Sequence, residues 1–417
     1  MRLPFRKLRV PRNLDDVTST RHTCEVDPQD LGLAPDAVQR IWAGVQRYYR
    51  TGTQPLIALC LRRQGQVLID RAIGHSHGLT YDSQRPLRRA STDDPVCIFS
   101  ASKAVTAILM HRLDALNLLR LDDPVAEYIP AFGKKGKADM TIRHVLTHRS
   151  GIPSIAIDGQ SLDLLADWRT IIDLLCETRP TWAPGRRLAY HAVTGGFILG
   201  EIAQRVTGRP LPELLREELA EPLGCRYLSY GVAEEHTDRV AENVFTGLPI
   251  PPPISTLVKR ALGMSFRDAI DTSNQARYLT GLVPSGNVVA TADDLSRFFQ
   301  LLLGNGSFEG RAILQPSTVR RALTESAYYE LDLTLGLPVR YGQGLMLGGP
   351  LLSLFGWDTP HAYGHYGFVT IVGWADPERE LAGALLTTGK GLFGGHLLPF
   401  YAVLSEIARH CPRVRRL

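Results

Sequence analysis

The chain has no apolar run of transmembrane length, which sets aside a helix that spans a bilayer. Cysteine is scarce. Cys24, Cys60, Cys97, Cys176, Cys225 and Cys411 are scattered, none in C-x-x-C spacing, and most sit in apolar surroundings. That pattern excludes a disulfide frame and a zinc site and reads as reduced core thiols. The start lacks an apolar segment between its charges and lacks a cleavage site, so the expectation is a cytoplasmic enzyme without a signal peptide. No low-complexity segment and no internal repeat interrupts the sequence. Acid is missing from both tails. Arg2, Arg6, Lys7, Arg9 and Arg12 at one end and Arg413, Arg415 and Arg416 at the other supply eight cations. Taking those eight from the net charge of +5 leaves −3 for the body. The basic surplus therefore belongs to the tails, and with no interleaved aromatic-basic motif it does not describe a nucleic-acid groove. A basic arm over residues 1–30 suits weak contact with an anionic membrane surface; a frayed, solvated terminus is the plainer reading.

What is present is an ordinary globular composition. Of 417 residues, 44% are apolar and 21% charged, enough for a large core in two subdomains. Pro35-Asp36 opens a helix with Val38, Ile41, Trp42 and Val45 on one face. Leu56–Arg62 and Gln66–Gly74 predict a hairpin turning at Gln64-Gly65. Residues 121–224 are mainly helical: Thr141–Thr147, Leu162–Glu177, Thr194–Thr207 and Leu211–Leu223. A proline-rich stretch around 249–254 reads as a loop before a helix at Thr256–Leu262, an apolar insertion placed to cover a pocket. Thr291–Leu303 is a further helix. Tyr341–Leu347, Gly364–Trp374 and Glu380–Thr388 have strand composition, and Leu397–His410 closes the chain as a helix. The expected fold is α/β: an antiparallel sheet flanked by helices, built from both ends of the chain, with a mainly helical domain inserted. The expected division is an irregular basic arm over 1–30, an α/β domain over 31–110 and 285–417, and a helical domain over 111–284 whose covering loop spans 247–264.

Chemistry concentrates at Phe99-Ser100-Ala101-Ser102-Lys103. A short apolar run leads into Ser100 and an apolar-periodic stretch leads away, so Ser100 is expected at a helix start with Lys103 on the same face. A hydroxyl beside an amine, near unpaired backbone N–H groups, is the layout of an activated nucleophile. S-x-x-K alone is weak, since about one chance match is expected in a chain of this length. A serine capping an amphipathic helix, with a solvated lysine, explains the same residues.

Two other patterns are decoys. Gly74-His75-Ser76-His77-Gly78 matches G-x-S-x-G, but the nucleophile elbow of an α/β-hydrolase needs a helix directly after the serine. A turn-like stretch ending in Pro86 follows instead, so the segment reads as a strand-end loop. His144 and His148 are four apart, yet Val145 stands where a zinc protease carries glutamate. Both read as structural, and His75, His77 and His361 as loop residues. Tyr190-His191-Ala192, ahead of an apolar helix, supplies a phenol that acts in chemistry only if it reaches Ser100. Gly364-His365-Tyr366-Gly367 opens a strand whose glycines permit close backbone approach.

Taken in order, these segments resemble the serine β-lactamase-like superfamily, nearest its esterase branch, the family VIII carboxylesterases related to class C β-lactamases. Ser100-Ala101-Ser102-Lys103 matches the first motif and Tyr190-His191-Ala192 the tyrosine motif. Gly364-His365-Tyr366-Gly367 with Asp376-Pro377 matches the last. Leu121-Asp122-Asp123-Pro124-Val125, Thr141 to Gly151, Val283-Pro284-Ser285-Gly286-Asn287 and Ala292-Asp293-Asp294-Leu295 are in family register, so the likeness runs from about residue 35 to 410.

The resemblance implies acyl transfer through an ester on Ser100, with Lys103 and Tyr190 sharing the base role. The oxyanion would lie against the backbone N–H groups of Ser100 and Phe368, with His365 and Gly367 lining the substrate site. It implies no metal or organic cofactor, and a small-molecule ester as partner. Two departures point away from β-lactams. Ala192 replaces the asparagine of Y-x-N, and His365 replaces the lysine of K-T-G. The expected activity is hydrolysis of apolar carboxylic esters, lipase-like if Pro249–Met264 and Pro350–Trp357 wall an acyl pocket. A β-lactamase, a D-Ala-D-Ala peptidase or an acyltransferase would use the same acyl-enzyme, and a non-catalytic binding protein on this fold is the remaining class.

Overall fold

The computed structural model describes residues 8–79, 85–155, 165, 167–350 and 353–414. The outermost tail cations, the first residues of the expected 162–177 helix, most of the turn after Gly78, and Leu351 and Leu352 lie outside the described residues.

The main sheet is antiparallel. Its strands in chain order are β1 (Thr18–Thr20), β2 (Leu56–Arg63), β3 (Gln66–His77), β4 (Ala327–Asp332), β5 (Leu337–Tyr341), β6 (Met346–Leu347), β7 (Tyr363–Gly367), β8 (Ile371–Asp376) and β9 (Leu381–Thr387). Their spatial order is β1-β3-β2-β9-β8-β7-β6-β5-β4, with Arg88–Arg89 pairing outside on β3. The pairing of β2 with β9 joins the two ends of the chain, Leu59 opposite Leu385. All eight residues of β2 are buried, so the strand is covered on both faces. Its side chains alternate between faces at period two. Leu56, Ala58 and Cys60 enter one core cluster, and Ile57, Leu59 and Leu61 enter the other.

Helix α1 (Ala37–Tyr49) and the last helix cover one face. Val38, Ile41, Trp42 and Val45 face inward as the spacing predicts, beside Phe400, Val403, Leu404 and Ile407 of Leu397–His410. Helix α2 (Ser102–Ala115) and Ala292–Leu303 cover the other. The latter is started by a capping box. Thr291 Oγ1 accepts from the Asp294 backbone N–H at 3.0 Å, and Asp294 accepts in return from Thr291. Such a cap contributes about 1 kcal/mol.

The segment between Ala115 and Val288 is mainly helical, including α3 (Thr194–Thr207), which ends at left-handed Gly208. It is not purely helical. Ser229–Tyr230 pairs with Val288–Ala290 beside Val96–Cys97, and Val244–Phe245 lies parallel to Gly389–Lys390.

Several expectations need correction. The described part of the 1–30 arm is docked: β1 pairs with β3, and Leu14 and Val17 are buried. Gly364–Trp374 is not one strand but two, because Phe368 and Val369 take positive φ (38° and 77°) and reverse the chain. Tyr341–Leu347 likewise divides between β5 and β6, and the β4–β5 hairpin was not anticipated. The Leu211–Leu223 helix is α-helical only to Leu215 and continues as a π turn over Arg216–Ala220. His75 and His77 lie in β3, not in a loop, since Arg88–Arg89 prolongs the pairing.

Candidate active site

Ser100 sits in a 3₁₀ turn, Phe99–Ala101, just before α2 rather than inside it. Two features fix that turn. Val288 holds the strap from both sides: its carbonyl accepts from the Ile98 N–H at 2.8 Å, and its N–H donates to Ser102 Oγ at 3.0 Å. Phe99 adopts φ 46°, a left-handed conformation costly for a residue with a Cβ. Its ring stacks on Phe368 with centroids 4.8 Å apart, and Phe368 stacks on Phe266 at 4.6 Å. Phe99 and Phe368 both carry positive φ, and the ring column holds the two strained positions against each other. Gly367 closes the contact. A Cβ there would stand 2.0 Å from the Ile98 carbonyl oxygen, so only glycine permits this approach.

Lys103, the second residue of α2, points back at the turn. Its Nζ lies 3.1 Å from Ser100 Oγ and donates to the carbonyls of Ala192 and Ser285, each at 2.8 Å. Burial pushes its pKa down to about 7, since a charged amine is costly in a dry site. Ser285 Oγ ties the segments that carry these acceptor carbonyls together, accepting from the Gly196 N–H and donating to the Val193 carbonyl.

The Tyr190 phenol faces Ser100, and burial holds it above the ordinary tyrosine range. Its ring lies 4.9 Å from Lys103 Nζ. The Tyr190 backbone N–H donates to Asp332 Oδ1 at 3.0 Å, and the same oxygen accepts from Thr334 and Leu335. His148 presses on the Tyr190 ring, centroids 4.7 Å apart. His148 lies beyond the helix that holds His144, at φ 58°, so the two histidines do not share a helix face. A chain of contacts backs it: His148 Nδ1 to His191 Nδ1 at 3.1 Å and His191 Nε2 to Ser150 Oγ at 2.5 Å. His365 is buried, its pKa lowered to about 3 by burial and then by Lys103, and its Nδ1 lies 2.7 Å from the Tyr366 carbonyl. It is a neutral imidazole where K-T-G carries an ammonium.

The six residues singled out in the sequence thus form one neighbourhood, with Ser100, Lys103 and Tyr190 in mutual contact. Sequence reasoning missed Asp332, which sits on the unforeseen hairpin. It also missed Lys390, buried on the far side of Phe99 with its amine 5.2 Å from that ring and bonded to the Thr387 carbonyl. It read His148 as structural, without its contact to Tyr190. The decoy serine is elsewhere in kind: Ser76 is buried within β3 and accepts from Arg88 at 2.9 Å. Among the described residues no cluster of three His, Cys, Asp or Glu is placed to hold a metal.

Beside Ser100 opens a cleft lined mainly by apolar groups, among them Phe99, Leu165, Val193, Leu262, Met264 and Phe368. The covering segment therefore reaches the cleft through Leu262 and Met264. The described part of the Pro350–Trp357 stretch does not line it: Phe355 is buried in the second core and Trp357 is 70% exposed.

Known proteins resemble this chain in sequence and fold. The Beta-lactamase family profile matches residues 45–405. The esterase/beta-lactamase LipL of Mycobacterium tuberculosis is 32% identical over 310 residues, covering 71% of this chain and 70% of that protein. A penicillin-binding protein homologue from Caulobacter crescentus superposes with a TM-score of 0.77 at 26% identity, over 91% of this chain and 98% of the other. A family VIII carboxylesterase superposes with a TM-score of 0.76 at 23% identity and the same coverage, a likeness of fold. With its serine, lysine and tyrosine gathered at one cleft, the chain belongs to the Beta-lactamase family.

Proposed function

We propose that the protein is a serine hydrolase that cleaves apolar carboxylic esters through an acyl-enzyme on Ser100, in the cleft between the α/β domain (31–110 and 285–417) and the inserted domain (111–284). The observation that carries this reading is the hydrogen bonding of Lys103. A neutral amine has two N–H groups and one lone pair. Two carbonyls take the N–H groups, which leaves the lone pair for the Ser100 hydroxyl.

Lys103 accepts the proton as Ser100 Oγ attacks the ester carbonyl, and the charge that develops on the carbonyl oxygen is received by the backbone N–H groups of Ser100 and Phe368. Tyr190, kept protonated by burial, stands next to Ser100 to pass a proton to the leaving alkoxide, and regains one from Lys103 or solvent. Water then repeats the sequence on the acyl-enzyme. His365 and Gly367 line the substrate side of this arrangement. A neutral His365 and a methyl at Ala192 favour an uncharged ester over a β-lactam, whose carboxylate and amide they do not match. EstB of Burkholderia gladioli, 27% identical over 268 residues, is named an esterase, and LipL an esterase/beta-lactamase, in keeping with ester hydrolysis.

An ester panel tests the substrate class. We expect p-nitrophenyl butyrate and longer acyl esters to be turned over at least as well as the acetate, and nitrocefin slowly. Turnover confined to the acetate contradicts an acyl-binding cleft, and nitrocefin as the best substrate would make the protein a β-lactamase.

The pH profile tests the base. Protonation removes the lone pair that receives the serine proton, so kcat/KM is expected to fall below an apparent pKa of about 7. The apparent value belongs to the coupled lysine–tyrosine pair. The three neighbouring imidazoles, all pushed down by burial, stay neutral across this range and add no ionisation of their own. A rate that is flat from pH 5 to 9 contradicts Lys103 as the proton acceptor.

A further inference from the structure

The covering segment holds a helix that the fold does not bury. In α4 (Ile254–Leu262) no residue is buried. Its apolar side chains are Ile254, Leu257, Val258, Ala261 and Leu262, a spacing of three and four that gathers them on one face. In a helix that packs on its own domain such a face is covered. Here Leu257 is 57% exposed, and Leu248, ahead of the helix, is 47% exposed. Lys259 and Arg260 stand on the other side of the helix, both exposed and with no ion-pair partner among the described residues. From 243 to 267 the chain contains three cations and no acid. An exposed apolar stripe flanked by unpaired cations matches the surface of an anionic lipid layer in both polarity and sign.

The stripe also leads somewhere. Its last residue, Leu262, lines the cleft beside Ser100, with Met264 just after it. On the Tyr190 side the β4–β5 hairpin, fixed to Leu188 and Tyr190 by Leu333 N–H and Asp332, exposes Leu333 and Leu335.

We propose that α4 is a lipid-docking element, which lays its Ile254–Leu257 face into an anionic lipid–water interface with Lys259 and Arg260 against the headgroups. The cleft mouth then opens at the interface. That last consequence rests on the apolar-ester reading, whereas the docking itself does not use Ser100.

Flotation of the full chain with vesicles tests the proposal. Binding to phosphatidylglycerol-rich vesicles is expected, weakened by added salt, with less binding to pure phosphatidylcholine vesicles. The double variant Ile254→Glu/Leu257→Glu is expected to lower the partition coefficient roughly tenfold or more, and Lys259→Gln/Arg260→Gln several-fold on anionic vesicles only. Both variants should keep the wild-type thermal midpoint, because α4 contributes nothing to the buried core. Ser100→Ala protein should bind as wild type does. Binding therefore survives a failure of the esterase reading, and a missing interaction with vesicles leaves that reading intact. The proposal is overturned if wild type fails to float, or if the Ile254→Glu/Leu257→Glu variant floats equally well. It is also overturned if that variant instead abolishes a self-association of the lipid-free protein, which would make a second copy the occupant.

Discussion

Replacing Ser100 with alanine is expected to lower ester turnover by about 10⁴-fold or more and to abolish labelling by a fluorophosphonate. Lys103→Met should fall nearly as far, because it removes the amine that lies 3.1 Å from the Ser100 hydroxyl. The double variant should be no worse than either single one, since the two groups act in one step and their losses do not add. Ser76→Ala serves as the contrast. Its hydroxyl is enclosed in β3 and bonded to Arg88, so turnover should stay within about twofold of wild type. Turnover within about tenfold of wild type in Ser100→Ala would remove the nucleophile from the scheme, and a loss confined to Ser76→Ala would move the chemistry to the G-x-S-x-G segment.

The part of this site legible in the sequence is the part fixed by local spacing. A serine and a lysine three positions apart, at the mouth of an apolar-periodic stretch, already imply that the two side chains meet. The hairpin at Gln64-Gly65, the inward face of α1 and the bounds of α3 were legible for the same reason: a period of two or 3.6 and a turn residue define them. What was not legible depends on pairing across long separations or on unusual backbone angles. Phe368 and Val369 have strand composition, and nothing in their side chains announces the positive φ that reverses the chain there. Asp332 acts on Tyr190 from 142 residues away, on a hairpin whose leucines lack a clean alternation. Lys390 and His148 look like surface residues by type. Only the fold reveals that both are buried, with a ring or a carbonyl rather than a carboxylate for company.

A strained strap is kept beside Ser100. Phe99 and Phe368 each sit at a backbone conformation that disfavours a side chain, and each is followed by chemistry: Ser100 after one, the chain reversal after the other. Strain of this kind persists where the surroundings over-determine it. Here the surroundings are the ring column, the Val288 hydrogen bonds on the strap, and Lys390 behind Phe99. Shortening the column by Phe99→Leu or Phe368→Leu forfeits an aromatic contact worth about 0.5–1.5 kcal/mol, so a roughly two- to tenfold loss in kcat is the expected scale.

Gly367→Ala strikes the same assembly harder. Its added methyl would stand 2.0 Å from the Ile98 carbonyl oxygen and 3.3 Å from the Ile371 side chain. The first of these is a backbone atom of the strap that delivers Ser100, so no side chain can turn aside to relieve it. Either the strap or the end of β7 must retreat, and the N–H groups of Ser100 and Phe368, proposed above to receive the oxyanion, then shift relative to each other. Loss of an oxyanion donor typically costs about 10²–10³ in kcat, and that is the expected fall. KM for a small soluble ester should change by no more than about threefold, because ground-state contacts in the apolar cleft remain. Fluorophosphonate labelling should slow in parallel, although Ser100 and Lys103 are untouched. Steady-state kinetics read together with the labelling rate decide it. An alanine variant that keeps kcat within about threefold of wild type would show that the Gly367–Ile98 contact does not set the geometry at the nucleophile. A fall in KM-controlled binding alone would instead assign Gly367 to substrate shape.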